Sequence, residues 1–208
     1  MEGKEKPRRT QAERSAATQT KILEAAQYLI AKRGLAHTST QDIAKHARVS
    51  RGAMLHHFPS RASLIQATYA EMLRQESERL RVFARTLQPG QNRLKALAEY
   101  IWERYQSGIF HVSMDYIAEA RVDADELSYV SAESQKFNDA LNDVWNVELE
   151  AFGCDVETRQ LMMNEFMCLV RGMAFQSQWR KDPEYFQNML QSWLVRARSV
   201  LIPANTAR

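Results

Sequence analysis

At 208 residues, 45% of them hydrophobic and with only seven Gly and five Pro, the chain can bury a large core and favours helices over turn-rich sheets. The charged opening MEGKEKPRRTQ lacks an apolar leader, and no run of about eighteen apolar residues follows, so a cytoplasmic protein with no membrane partner is expected. Net charge is +3, but residues 1–65 carry 12 Lys/Arg against five acids, which leaves −4 for the remainder. That asymmetry points to a polyanion partner for the first third, or to no more than a solvated basic face.

Residues 1–16 are polar, basic and without period, which predicts a flexible arm. From about Thr18, Ile22, Ala25, Ala26, Leu29 and Ile30 repeat as one face of an amphipathic helix, which Lys32, Arg33 and a capping Gly34 bring to an end. In HTSTQDIAKHA, Thr38 and Gln41 stand at capping-box spacing and predict a second helix with Ile43, Ala44 and Ala47 on its inner edge. After the Arg48–Val49 turn, Ser50 is a natural N-cap for a third helix that runs to about His57, where Pro59 stops it. Ser60 caps a long fourth helix with Leu64, Ile65, Thr68, Tyr69, Met72 and Leu73 on one side.

QPGQN, residues 88–92, breaks the pattern. A helix with Leu94, Leu97, Ala98, Ile101, Trp102 and Tyr105 inward follows, and Gly108 ends it. Further helices are predicted near Phe110–Ala120, Asp125–Phe152, Val156–Gln178 and Pro183–Leu201. The result is an all-α protein: an N-terminal three-helix unit over 17–62 after the arm, then a helical bundle body over 63–208, about nine helices in all.

Two short helices joined by a tight turn form a helix-turn-helix, whose second helix enters the DNA major groove. Such a helix need not be stable alone, because Val49, Met54 and Phe58 can pin it to its neighbours. Gly52, in its first turn, permits close approach to DNA, and Arg51 beside it can reach a guanine edge or a phosphate. Ser50 can cap the helix and contact DNA, and Arg61 at the start of the fourth helix stands near a phosphate.

Ile22–Ile65, with "AA…RG", "T..DIA" and "VSRG...HHFPS(basic)..L", closely resembles the DNA-binding domain of the TetR family of transcriptional regulators. The resemblance implies a homodimer on a double-stranded DNA operator and a body that holds a small-molecule effector. It carries DNA contacts onto Thr40, Gln41, Ser50, Arg51, Ala53, His56, His57 and Arg61. Position 55, usually aromatic in the family, is Leu55, which can pack on a thymine methyl but cannot hydrogen-bond, so the phosphate contact is expected to move to His56. Gln41 is equally well read as the capping-box residue. Arg8, Arg9 and Arg14 are either solubilising charge or an arm along the minor groove.

In the body, Trp102, Tyr105, Phe110, Met114, Phe137, Trp145, Met162 and Phe166 are core by default. The family likeness makes them candidates for an effector cavity, with Arg171 either paired to Glu119 or Asp115 or receiving an anionic ligand. Gly172 in mid-helix suggests a close helix crossing. Phe175, Trp179, Met189, Trp193, Leu194 and Ala197 are then candidates for a dimer interface of two helices from each subunit, or for an internal core. Adjacent His56 and His57 point about 100° apart and make no zinc pair. Cys154 and Cys168 fit no metal spacing and read as free thiols. HExxH, GxSxG, P-loop and GxGxxG motifs are absent. No cofactor, no metal and no enzymatic activity are therefore expected.

Overall fold

The computed structural model describes residues 10–201, the side chain of Ile109 excepted. Those residues form nine α-helices and one short 3-10 turn, with no strand among them. The chain divides between Glu71 and Met72 into two compact units.

The first unit begins with α1, Gln11–Arg33. The arm expected over 1–16 therefore gives way to helix seven residues before Thr18, because Thr10 and Glu13 form a reciprocal capping box. Arg14 belongs to that first turn and donates to the Thr10 carbonyl at 3.4 Å, while Arg8 and Arg9 lie outside the described residues. The helix buries the face its period predicts, and Gly34 ends it at φ 83°, its N–H bonded to the Ile30 carbonyl at 2.8 Å.

Next comes α2, Thr40–Ala47. Its capping box is Ser39 with Asp42, one residue later than the Thr38–Gln41 pair read from sequence. Thr38 is buried, and its hydroxyl donates back to the Gly34 carbonyl at 2.9 Å, so it closes the preceding turn instead. Hydrogen bonds from the Ser39 side chain and backbone hold the Asp42 carboxyl below its ordinary pKa. At the end of α2, Arg48 takes the left-handed conformation at φ 57°, and Val49 N–H reaches the Ala44 carbonyl at 3.0 Å. This Schellman closure makes the turn tight and sets the departure of α3, Arg51–His57, which Ser50 caps. The helix α4, Arg61–Arg85, then starts with reciprocal Ser60–Ser63 bonds.

In the second unit α4 is followed by α5 Arg93–Gln106, α6 Ile109–Ala120, α7 Ala124–Glu148, α8 Val156–Gln176 and α9 Pro183–Leu201. The long helix expected to reach Phe152 stops at Glu148, and Glu150–Phe152 tighten into the 3-10 turn. α8 packs against α5, α7 and α9 and runs through the middle of the core. Phe166, Trp193 and Trp145 form a mutual cluster, with ring centroids 4.4 Å apart for Phe166–Trp193, 6.2 Å for Trp145–Phe166 and 6.1 Å for Trp145–Trp193. On the inner side of α4, buried Glu76 receives two 2.8 Å bonds from Arg104 of α5 and pairs also with Arg79. That is how a carboxylate survives in a dry place.

Candidate functional site

α3 has seven residues and owes its place to packing, since a free helix of that length is marginal in water. Met54, 2% exposed, and Phe58 form its inner side, with α1 and α2 packed against the helix. Arg51, Gly52, Leu55 and His56 remain outward, Leu55 at 43% exposure, while Ala53 and His57 are half-buried at the margins. The His56 and His57 rings meet edge to face at 5.4 Å. Ser50 Oγ accepts the Ala53 N–H at 3.1 Å, which leaves the hydroxyl hydrogen free to donate to an oxygen of another molecule.

Gly52 is the informative residue of the surface. A Cβ added there would meet nothing within 4 Å, and its backbone is outside the left-handed region. Neither packing nor conformation within the chain asks for glycine at this position. With the cap displaced to Ser39 and Asp42, Gln41 is not a capping residue and its side chain is exposed, with Thr40 half-buried beside it. Arg61 differs most from its sequence reading. Its guanidinium donates to the carbonyls of Thr38 at 2.8 Å and Leu35 at 3.0 Å, so two of its donors face inward instead of toward a phosphate.

An arginine fork, a donor hydroxyl, an apolar tip and a histidine along one outward helix face are the groups that read base edges and phosphates. The sequence profile of the tetR family of bacterial regulatory proteins matches residues 22–68, the segment that contains all of them. The chain is 31% identical over 191 residues to the HTH-type transcriptional regulator CymR of Pseudomonas putida, a match that covers 92% of this chain and 94% of CymR. The chain belongs to the TetR family. It is a helix-turn-helix transcriptional regulator.

Over a shorter stretch of 60 residues the chain is 47% identical to the regulator TtgR of Pseudomonas putida, 29% of this chain and 28% of TtgR. The TetR fold extends to the body. A TetR-family regulator from Agrobacterium tumefaciens superposes with a TM-score of 0.67 at 20% identity, over 88% of this chain and 98% of that one.

The body candidates of this TetR chain sort differently from their sequence reading. Trp102, Phe110, Trp145, Met162 and Phe166 are buried in one continuous core, against which Tyr105 and Phe137 pack half-buried. Met114 and Arg171 face solvent, so neither lines the interior. Arg171, expected to pair with Glu119 or Asp115 or to receive an anionic ligand, is exposed on α8. Trp193, Leu194 and Ala197 belong to the core and are not available to a partner, and Met189 is half-buried against it. Trp193→Ala is therefore expected to destabilise the protein by about 3–5 kcal/mol in denaturant unfolding, the cost of emptying a large buried site. A loss under 1 kcal/mol would mean that Trp193 is not core.

Phe175 and Trp179, in contrast, stand outward at 51% and 63% exposure, edge to face at 5.2 Å. Gly172 is exposed, and a Cβ there would meet nothing within 4 Å, so it serves no close crossing inside the chain. Cys154 and Cys168 are free thiols. Sequence reading missed an open groove of about 480 Å³ along α4, with Arg74, Arg79, Val82 and Phe83 against Tyr100 of α5. Phe83 and Tyr100 stack there at 4.1 Å. No periodicity signals such a groove, because its lining mixes charged stems with rings. Among the described residues no helix is long and apolar enough to cross a membrane.

Proposed function

We propose that this TetR-family regulator is a homodimeric repressor that holds a palindromic double-stranded DNA operator through α3 and the start of α2. In this reading Arg51 addresses a guanine edge, Gly52 allows the backbone to come close, Leu55 packs on a thymine methyl, and His56 with Ser50 donates to phosphates. Thr40, Gln41, Ala53 and His57 border the same contact. The observation that carries the proposal is the outward face of α3, where side chains suited to DNA have no packing duty in the chain. Two such faces, one from each protomer, would sit one helical turn apart, about 34–36 Å.

A small-molecule effector in the body would release the operator by binding better to a state in which the two α3 faces no longer match that spacing. The open groove along α4 is the place that supports this part of the reading, since α4 itself begins in the helix-turn-helix unit. The 17–62 and 63–208 division into reading head and effector body is part of the same proposal.

The test is a selection of bound sequences from random DNA, followed by titration of the winner against a scrambled duplex. Arg51→Ala should weaken the selected site by roughly 1–3 kcal/mol and relax preference at one base pair. Equal weakening on every duplex would instead make Arg51 a phosphate contact. If the wild-type protein shows no affinity gap between selected and scrambled DNA, the reading as a sequence-specific repressor is lost.

A further inference from the structure

The first residue of α4 is a cation, in the place where unpaired helix N–H groups make positive charge least welcome. An arginine retained there calls for compensating acceptors. The structure supplies them from within the chain. Nη1 donates to the Thr38 carbonyl at 2.8 Å and Nη2 to the Leu35 carbonyl at 3.0 Å, across 23 and 26 residues of sequence. Both acceptors belong to the turn between α1 and α2, and both residues are buried. The turn is bonded on itself as well: Thr38 N–H reaches the Leu35 carbonyl at 3.2 Å, and Thr38 Oγ1 the Gly34 carbonyl at 2.9 Å. Ser39, the cap of α2, follows directly, and after it come Thr40 and Gln41.

We propose that Arg61 is a positioning residue: its guanidinium clamps the α1–α2 turn to the first turn of α4, and so sets the pose in which the start of α2 meets DNA. This rests on the DNA-binding reading and deepens it. The planar fork is what the clamp requires, since two carbonyls of one turn are addressed by two donors of fixed geometry. Lysine has the charge but not the fork. Because α4 continues to Arg85, a rotation of its first turn carries the clamped turn, and with it the beginning of α2.

Arg61→Ala and Arg61→Lys in the full-length chain test the clamp by two readouts. The first is affinity for the selected duplex over a range of salt. The clamp predicts a loss on the order of 10-fold in both variants, with an unchanged slope of log K against log salt, because no phosphate contact has gone. The second is amide hydrogen exchange, which should accelerate at Thr38 and through residues 39–42 in both variants while α5 and α8 stay protected. A phosphate-gripping Arg61 gives the opposite result: Arg61→Lys binds like wild type, Arg61→Ala flattens the salt slope by about 0.9, and exchange at Thr38 does not change. That outcome overturns the proposal. Should Arg61→Ala fail to fold, Arg61→Lys alone decides by both readouts. If no duplex is preferred even by the wild-type protein, the DNA-binding reading falls, and the exchange of Thr38 still judges the clamp.

Discussion

Gly52→Leu is expected to fold at least as well as the wild-type chain and to lose operator binding by about 100-fold or more. The first half of that outcome follows from the site. A side chain at position 52 enters open space, and the helix is relieved of a glycine, which is unfavourable there by up to about 1 kcal/mol. A thermal melt should therefore show an unchanged or raised midpoint. The second half follows from what lies beyond the chain. If α3 rests in a major groove with its first turn against the duplex, a leucine there occupies space that the bases or backbone need. A residue that costs the free protein stability and spares it nothing is best explained by a bound partner. Gly52→Ala should rank between the two, with a smaller steric penalty. Binding by Gly52→Leu at wild-type affinity, on a duplex that wild type prefers, would remove the close approach of α3 from the account.

The Phe175→Asp, Trp179→Asp double variant is expected to be monomeric by sedimentation and to bind a full palindromic operator about 100-fold or more weakly than wild type. Half-site affinity should be little changed. These two rings are exposed at 51% and 63%, and no packing within the chain accounts for them. An outward aromatic pair, Phe175 near the end of α8 and Trp179 in the turn after it, suits an isologous contact with a second copy, in which large rings supply much of the binding energy. Loss of the dimer turns two tethered half-site contacts into independent ones, which is where the 100-fold arises. Because both side chains are outward, the charges burden the monomer little, and circular dichroism should confirm retained helix. A double variant that stays dimeric would place the twofold contact elsewhere, with exposed Val195 of α9 the next position to change.

Most of the secondary structure could be read from the chain itself. Periods of 3.6 at Ile22–Ile30 and Leu94–Tyr105, the Ser50 cap, and breaks at Gly34 and Pro59 are local signals, and the helices obey them. Where a helix starts at another residue than its period suggests, a competing local signal decides. Thr10 with Glu13 makes as good a capping box as Thr38 with Gln41, and Ser39 with Asp42 a better one. The candidate DNA face was legible for the same reason. Its residues lie within one short segment, and a family signature covers that segment.

What a chain determines locally is which residues share a helix face, because 100° per residue is a property of the backbone. Which face turns inward is a matter of neighbours, and these arrive from far along the sequence. Trp193 and Leu194 are as available to a second copy by period as Phe175 and Trp179, yet the first pair is buried in the core, Trp193 against Phe166, and the second meets solvent. Arg171 looked interior among apolar neighbours and was turned outward by the packing of α8 on α5, α7 and α9. Arg61 looked like one more basic residue for DNA. Its two acceptors lie 23 and 26 residues upstream, and only a folded turn could bring them within 3.0 Å of its guanidinium.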